Sequence, residues 1–332
     1  MTVKTGAPIA SYSLDQLPPA LVEVLPGATL VPVADAKGWA CGAFRNDGSF
    51  CTGSRIRTGH THFSAQPAFA DAGEVLEGRH LYAGLGRHHF GHFLLEALPR
   101  LWAVDQQPVD GIVFMARPGL DFPAVLNRRF RAFLDVLTGG LPIMVAQKPT
   151  RVDELVVATP GIGHLQWITG TPEYRQFMRA RLTGHIAPNG PDKIYISRSA
   201  LKRPEQMVDQ EERIEGMMRD AGYTIVHPQK LSLIEQCSHY MAARHIVGGD
   251  GSAFHLAALV LQPDTQVAVI QRRWRQNVVD AIMDQISAFS EARLTMINPL
   301  YPREDTPDNG PIIPTPLDIK YLKRALKTAG FI

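Results

Sequence analysis

In the segment GRHHFGHFLLEALPRLW (86–102), His88, His92, Glu96 and Arg100 recur at every fourth residue. On a helix this spacing lays them along one face with a drift of about 40° per step. Phe90, Phe93, Leu94, Leu98 and Leu101 supply the apolar remainder. A row of titratable groups beside a buried face suits two chemistries. An imidazole next to a carboxylate can serve as a general base. Histidines at i and i+4 with a later carboxylate also form a usable zinc ligand set. The plainer alternative is a helix whose histidines are satisfied by backbone carbonyls.

A second cluster surrounds Gly248-Gly249-Asp250-Gly251-Ser252 in HIVGGDGSAFHLAALV (245–260). An apolar strand runs straight into glycines and then into a helix. Such a turn lets backbone approach a ligand and aims free N–H groups at it, which suits phosphate. The bland counterpart is a structural glycine turn. The stretch does not match a serine-nucleophile elbow, because Asp250 and Phe254 occupy the positions where glycine should stand, which argues against a Ser252 hydrolase. In ISRSALKR (196–203), Arg198, Lys202 and Arg203 follow another strand. A guanidinium matches two diphosphate oxygens, whereas a solvated basic loop is the alternative. Weaker candidates are His164 in a glycine-rich loop, which reads equally well as a turn residue, and His255, one turn into the helix after Ser252. Glu211 and Glu212 open a helix, where acids are favoured in any case. Trp102, Trp167 and Trp274 read as core residues.

These residues need elements to hold them. Residues 1–80 are β-rich or irregular. A helix is expected over 88–104, interrupted near Pro99. Strands follow at 111–116, 141–146 and 154–159, with helices at 121–137 and 172–182. HIAPNGPD (185–192) reads as a linker. Beyond it the pattern becomes regular, with strands at 193–198, 224–228, 245–250, 266–271 and 294–298 and helices at 208–222, 232–243, 252–261 and 276–290. Ser232 and Glu235 form a capping-box pair. Such alternation predicts a parallel sheet covered on both faces. A proline-rich crossing (302–316) leads to a last amphipathic helix at 316–331.

Composition narrows the function classes. The 332 residues suffice for two domains. With 34 basic and 32 acidic residues the net charge is +2, too small for a nucleic-acid-binding field. The sequence contains no apolar run of membrane-spanning length and no signal-peptide core at its N-terminus. Cys41, Cys51 and Cys237 are too few and too scattered for a disulfide framework, so a cytoplasmic setting is expected. The basic segment LNRRFRAFL (126–134) admits peripheral contact with the inner face of a membrane, against the simpler reading as a solvated helix face.

Two blocks of the sequence resemble glycosyltransferase family 61. HHFGHFLLEALPRLW (88–102) is similar to that family's aromatic-rich run with His, three residues, Glu and Leu-Pro-Arg-Leu. The stretch from KIYISR (193–198) through Gln210-Glu211 to AARHIVGGDGSAFHLAALV (242–260) is similar to its Ile-Ser-Arg strand, Asn-Glu pair and Gly-x-His-Gly-Ala/Ser loop. The likeness spans roughly residues 80–275. It implies a GT-B-type α/β fold of two Rossmann-like domains with the active site in the cleft between them. Residues 1–188 would form the acceptor-side domain and 189–315 the nucleotide-sugar-binding domain. The helix at 316–332 would pack back on the N-terminal domain.

The resemblance further implies inverting transfer of a hexose, pentose or N-acetylhexosamine from a nucleotide-sugar donor to a glycan or lipid-linked glycan. The setting implied is bacterial polysaccharide or capsule biosynthesis, with no cofactor and no obligatory metal. By position, Arg198 and Arg203 would meet the donor diphosphate, with Gly249, Gly251 and Ser252 forming the phosphate loop. Glu211 and His255 would lie on the donor side, while His92, oriented by Glu96, would face the cleft as base. The chain departs from the family pattern at Asp250, where histidine is usual, and at Gln210, where asparagine is usual. A carboxylate repels a diphosphate, so Asp250 is expected to point away, pair with an arginine such as Arg198, or contact a sugar hydroxyl; it is also the alternative to His92 as base. Two rival readings remain: a metal-dependent hydrolase or lyase using His88, His92 and Glu96, and a non-catalytic sugar-nucleotide binder.

Overall fold

The structure is a computed structural model that describes residues 3–6, 8–9, 13–35, 37–58, 62–301 and 314–332. The proline-rich crossing lies largely outside the described residues. The chain divides into two compact units, Met1–Leu182 and Thr183–Ile332.

In the first unit seven strands form a mixed sheet in the order Phe50–Cys51, Gly42–Phe44, Leu21–Val31, Thr150–Ala158, Glu74–Leu85, Gly111–Met115, Ile143–Ala146. A short strand, Lys4–Thr5, lies off this path and pairs in parallel with the start of Leu21–Val31. The last four strands of the series run parallel. Leu21–Val31 runs antiparallel to Thr150–Ala158 and antiparallel pairs continue from it. Only part of this sheet therefore follows the parallel pattern of a Rossmann-like domain. Gly111–Met115 is buried along its whole length, which explains its unbroken apolar run.

The segment expected as a helix over 88–104 divides into three pieces. An α-helical turn, Phe90–His92, leads into a π turn, Phe93–Ala97. After Pro99 a 3-10 turn spans Leu101–Asp105. Pro99 has no N–H to continue the ladder, and its carbonyl accepts instead from the Gly161 N–H at 2.7 Å. The expected helix over 121–137 is likewise interrupted by a π turn, Leu126–Phe130, between Phe122–Val125 and Arg131–Thr138. Such turns widen a helix locally and recur at functional sites.

The second unit is more regular. Five parallel strands lie in the order Thr224–Val226, Lys193–Ile196, His245–Gly249, Gln266–Ile270, Arg293–Ile297. In chain order this is 2-1-3-4-5, so the winding reverses between Lys193–Ile196 and His245–Gly249. Ligands of doubly wound sheets bind at the carboxyl edge of such a switch point. One sheet face packs Tyr195, Val247, Ala268 and Ile270 against Ile214 and Met218 of helix Glu211–Asp220. Leu322 and Leu326 of helix Ile319–Thr328 join the same core. The terminal helix, which the sequence reading sends to the N-terminal domain, thus commits its apolar face to the second unit. Ser232 and Glu235 form the expected capping box on Leu233–Ala242.

Candidate active site

Each unit carries one cluster of chemically competent side chains. In the first, the strands Glu74–Leu85 and Thr150–Ala158 are parallel neighbours, with Tyr82 opposite Val157. The segments leaving their carboxyl ends therefore meet. One carries His92 and Glu96, the other His164.

Glu96 is the hub. Its Oε1 accepts from His164 Nε2 at 2.8 Å and also from His92 Nδ1, while Oε2 is paired with Arg87. Burial would raise this carboxyl, but the hydrogen bonds from His164 and His92, with the Arg87 charge, hold it well below the usual carboxylate range. An ionised carboxylate only accepts, so His92 directs a protonated Nδ1 at Glu96, and a neutral ring in this pose presents its Nε2 lone pair. With its side chain 40% exposed, His92 is reachable by substrate. A carboxylate that fixes the tautomer of a reachable imidazole is the arrangement of a general base and its orienting group. His164 is held by a tight loop. Leu165 adopts φ 51°, a left-handed conformation that costs a non-glycine residue energy. A Cβ on Gly161 would stand 2.6 Å from Tyr174 Cβ, and one on Gly163 2.9 Å from the Trp167 ring.

The row of four expected from sequence does not survive. Arg100 is buried, donating to the carbonyls of Gly53 and Arg55 at 3.1 and 2.7 Å. His88 is exposed and stands outside the cluster. The ligand set His88, His92, Glu96 is corrected to His92, Glu96, His164, whose donor atoms lie within 4.8 Å of one another. That set has the composition of a zinc site. Against it stands Arg87, which already neutralises the carboxylate that would attract a cation.

In the second unit Arg198 follows strand Lys193–Ile196 and lies across the loop after strand His245–Gly249. Its Nε donates to the Gln206 carbonyl and its backbone N–H to Glu211 Oε1 at 2.8 Å. A Cβ on Gly251 would overlap the Arg198 guanidinium, and one on Gly249 would stand 2.9 Å from Val208 Cγ2. Glycine is needed at 251 for close approach of the arginine, since the Gly251 backbone is extended.

Asp250 is fully buried. Its Oδ1 accepts from the Arg272 backbone N–H at 2.8 Å, and Oδ2 lies 3.5 Å from Arg273 Nε and 3.7 Å from Arg272 Nε. Pairing with arginine was one expectation for this residue, but the partners are Arg272 and Arg273. A carboxylate sealed from solvent cannot reach an acceptor hydroxyl, which removes Asp250 from the catalytic candidates. Burial, with repulsion from Arg198, pushes Arg272 down to about 9 against the attraction of Asp250. Glu211 is pushed up to about 7 by burial, opposed by hydrogen bonds from the Arg198 N–H and Tyr195 O–H. Three arginines, Arg198, Arg272 and Arg273, thus gather around the single carboxyl of Asp250 at the switch point.

Among the other expected residues, Ser252 begins the helix Ser252–Ala258 and is half-buried. His255 turns its Nδ1 to Gln285 on the next helix, so this nitrogen is taken by the protein and not by a donor. Arg203 is exposed beyond the loop, with no described side-chain contact to the cluster. Trp102 and Trp167 are core residues, but Trp274 is not, at 42% exposure. Sequence reasoning missed Arg87, Arg272 and Arg273. The run Arg272-Arg273-Trp274-Arg275 follows a strand just as Arg198 does, and the same rule would have found it.

Among the described residues no helix is long and apolar enough to cross a membrane. A family model described as glycosyltransferase 61 matches residues 90–268, more than half of the chain. The matched region contains His92, Glu96, His164, Arg198, Glu211 and the 248–252 loop, and ends before Arg272. No curated protein matches the chain.

Proposed function

The chain belongs to the glycosyltransferase 61 family, and from that premise we propose that it moves a sugar from a nucleotide-sugar donor to a hydroxyl of a growing glycan, with inversion. The observation that carries this reading is Arg198, seated over Gly251 at the switch point of a parallel sheet beside Arg272 and Arg273. Buried cations that repel one another gain most from a bound dianion. In this reading the donor diphosphate lies there, and the arginines stabilise the nucleoside diphosphate as it leaves. His92 Nε2 takes the acceptor proton, and the imidazolium that forms is stabilised by Glu96. A single displacement by a base-activated hydroxyl inverts the anomeric carbon. The reading requires both units to act on one donor–acceptor pair in a GT-B manner.

The test is thermal stability of the metal-stripped chain against a panel of nucleoside diphosphates and nucleotide sugars. A ligand at about 100 times its dissociation constant adds roughly 2.7 kcal/mol. A shift for one nucleotide class that disappears in Arg198→Ala is the expected result. No response to any nucleotide would overturn the proposal. The donor set of His92, Glu96 and His164 favours a second reading, metal-assisted hydrolysis or elimination. Stabilisation by zinc, lost in His164→Ala, would move the assignment there.

A further inference from the structure

Beside His92 the first unit gathers positive charge that the transfer reaction as proposed does not use. The two π turns are clamped together, with Phe93 stacked on Phe130 at 3.7 Å between centroids and 4° between planes. The second turn presents Arg129 back toward the first. The Arg129 guanidinium carbon sits 5.5 Å from the Phe90 ring and 5.3 Å from the Phe130 ring. Phe90 opens the helical turn that carries His92. The His89 ring lies 5.0 Å from His92, and His92 lies 5.6 Å from His164. On the same rim Arg87 and Arg117 stand over the Trp39 ring at 4.6 and 3.9 Å.

The local charge balance is one-sided. The arginines that act on His88 are Arg87, Arg129 and Arg117. Although its side chain is exposed, partial desolvation and repulsion from these arginines push the His88 imidazole below the usual histidine range, leaving a neutral hydrogen-bonding group beside them. The nearby carboxylate, Glu96, is already saturated by Arg87, His92 and His164. No described carboxylate pairs with Arg129, and its charged neighbour Arg128 is of like sign. A solvated basic face would leave its arginines free to swing. Here the aromatic rings fix Arg129 in place, so little side-chain freedom remains to be lost on binding. With a net charge of only +2 on the whole chain, the patch is local and suits a single charged group rather than a polyanion.

We propose that this rim is an acceptor subsite for an oxyanion, the carboxylate of an acidic sugar or a phosphate carried on the sugar, with Arg129 as principal ligand and Arg117 and His88 beside it. The inference rests on the reading of His92 as the base, because the subsite would hold the charged group next to the hydroxyl that His92 deprotonates.

Binding of methyl β-glucuronide, glucose 1-phosphate and neutral methyl β-glucoside to the full chain tests it, by ligand-observed NMR titration. At least one oxyanion probe should bind about tenfold more tightly than the neutral glucoside, the worth of one charge-assisted hydrogen bond. That margin should vanish in Arg129→Ala, return in part in Arg129→Lys, and persist in Arg198→Ala. The preferred probe identifies carboxylate or phosphate. Arg129 is exposed, so its variants should fold. Equal binding of charged and neutral probes, or loss in Arg198→Ala in place of Arg129→Ala, would overturn the subsite. Arg129-dependent sedimentation with phosphatidylglycerol vesicles that neither probe displaces would overturn it in favour of a membrane contact. The nucleotide panel separates the two proposals. A nucleotide response without oxyanion preference removes only the subsite, and oxyanion binding without a nucleotide response removes its role as an acceptor site.

Discussion

Glu96 in the first unit and Glu211 in the second are both nearly sealed from solvent, at 8% and 4% exposure. Burial pushes both carboxyls up, yet they end on opposite sides of the ordinary value. Glu96 meets Arg87 and two imidazoles, which hold its charge in place. Glu211 accepts through Oε1 from a backbone N–H at 2.8 Å and a tyrosine O–H at 3.2 Å, while its buried Oε2 has no hydrogen-bond partner among the described residues. The neighbouring cation Arg198 directs its Nε to the Gln206 carbonyl instead. Partners, and not depth, therefore decide the charge of a buried carboxylate. On the proposed reading, the anion kept in the first unit orients the base, and the acid that approaches neutrality in the second preserves positive charge for a donor diphosphate.

The most forceful way to break this comparison is at the group that Glu96 serves. His92→Ala should lower kcat for transfer by about 10²–10⁴-fold, the usual worth of a general base. Donor affinity should remain and the melting temperature should move little, because His92 is partly exposed. Full activity at saturating substrates would remove His92 from the mechanism.

Glu96→Gln keeps the shape and removes the charge. It should destabilise the protein by about 3 kcal/mol, because Arg87, largely shielded from solvent, is left without its counter-charge. Denaturant unfolding of the two proteins at neutral pH measures the difference. No loss of stability would mean that Arg87 finds water or another partner.

Glu211→Gln should have a pH-dependent effect of the opposite kind. A carboxyl raised to about 7 in the folded state contributes stability that is fully present below its unfolded value near 4.5 and is lost as pH rises through 7. For Glu96 the sign reverses: its contribution is present above the unfolded value and is lost as pH falls into the acid range. Unfolding free energy measured from pH 5 to 8 should therefore fall more steeply in the wild type than in Glu211→Gln, by on the order of 3 kcal/mol over the range. Parallel curves would show that Glu211 is ionised throughout.

The smallest effect concerns the residue before Glu211. Gln210 adopts φ 50°, in the left-handed region where asparagine is far better tolerated. Gln210→Asn should stabilise the protein by about 0.5–1 kcal/mol, read as a higher melting temperature. A lower one would mean that the Gln210 side-chain contacts with Asp209 and Arg213 outweigh the backbone cost.

The second unit was largely legible from sequence because its signals are local. The alternation of strand and helix, the Ser232–Glu235 capping box and the glycines before Ser252 are each set by neighbours a few residues apart. Arg198 and the 248–252 loop could be paired in advance because a parallel sheet brings successive strand ends to one edge. The first unit was less legible. Its sheet is assembled from strands far apart in the chain, and Leu21–Val31 pairs with Thr150–Ala158 across most of the unit. The π turns that replace the expected helices follow from packing, as in the Phe93–Phe130 stack, and leave no periodic trace.

Sequence alone determined the residue types able to do chemistry and the family they resemble. Tertiary structure decided which of them act together. It replaced His88 with His164, 68 residues from Glu96, because the segments bearing them leave neighbouring parallel strands. It sealed Asp250 beneath Arg272 and Arg273, 22 residues beyond it in the Arg272 contact, and so made an anchor of a candidate base. Helical spacing places a residue within a turn or two of its own position. Contacts over tens of residues are set by strand order, which only the folded chain fixes.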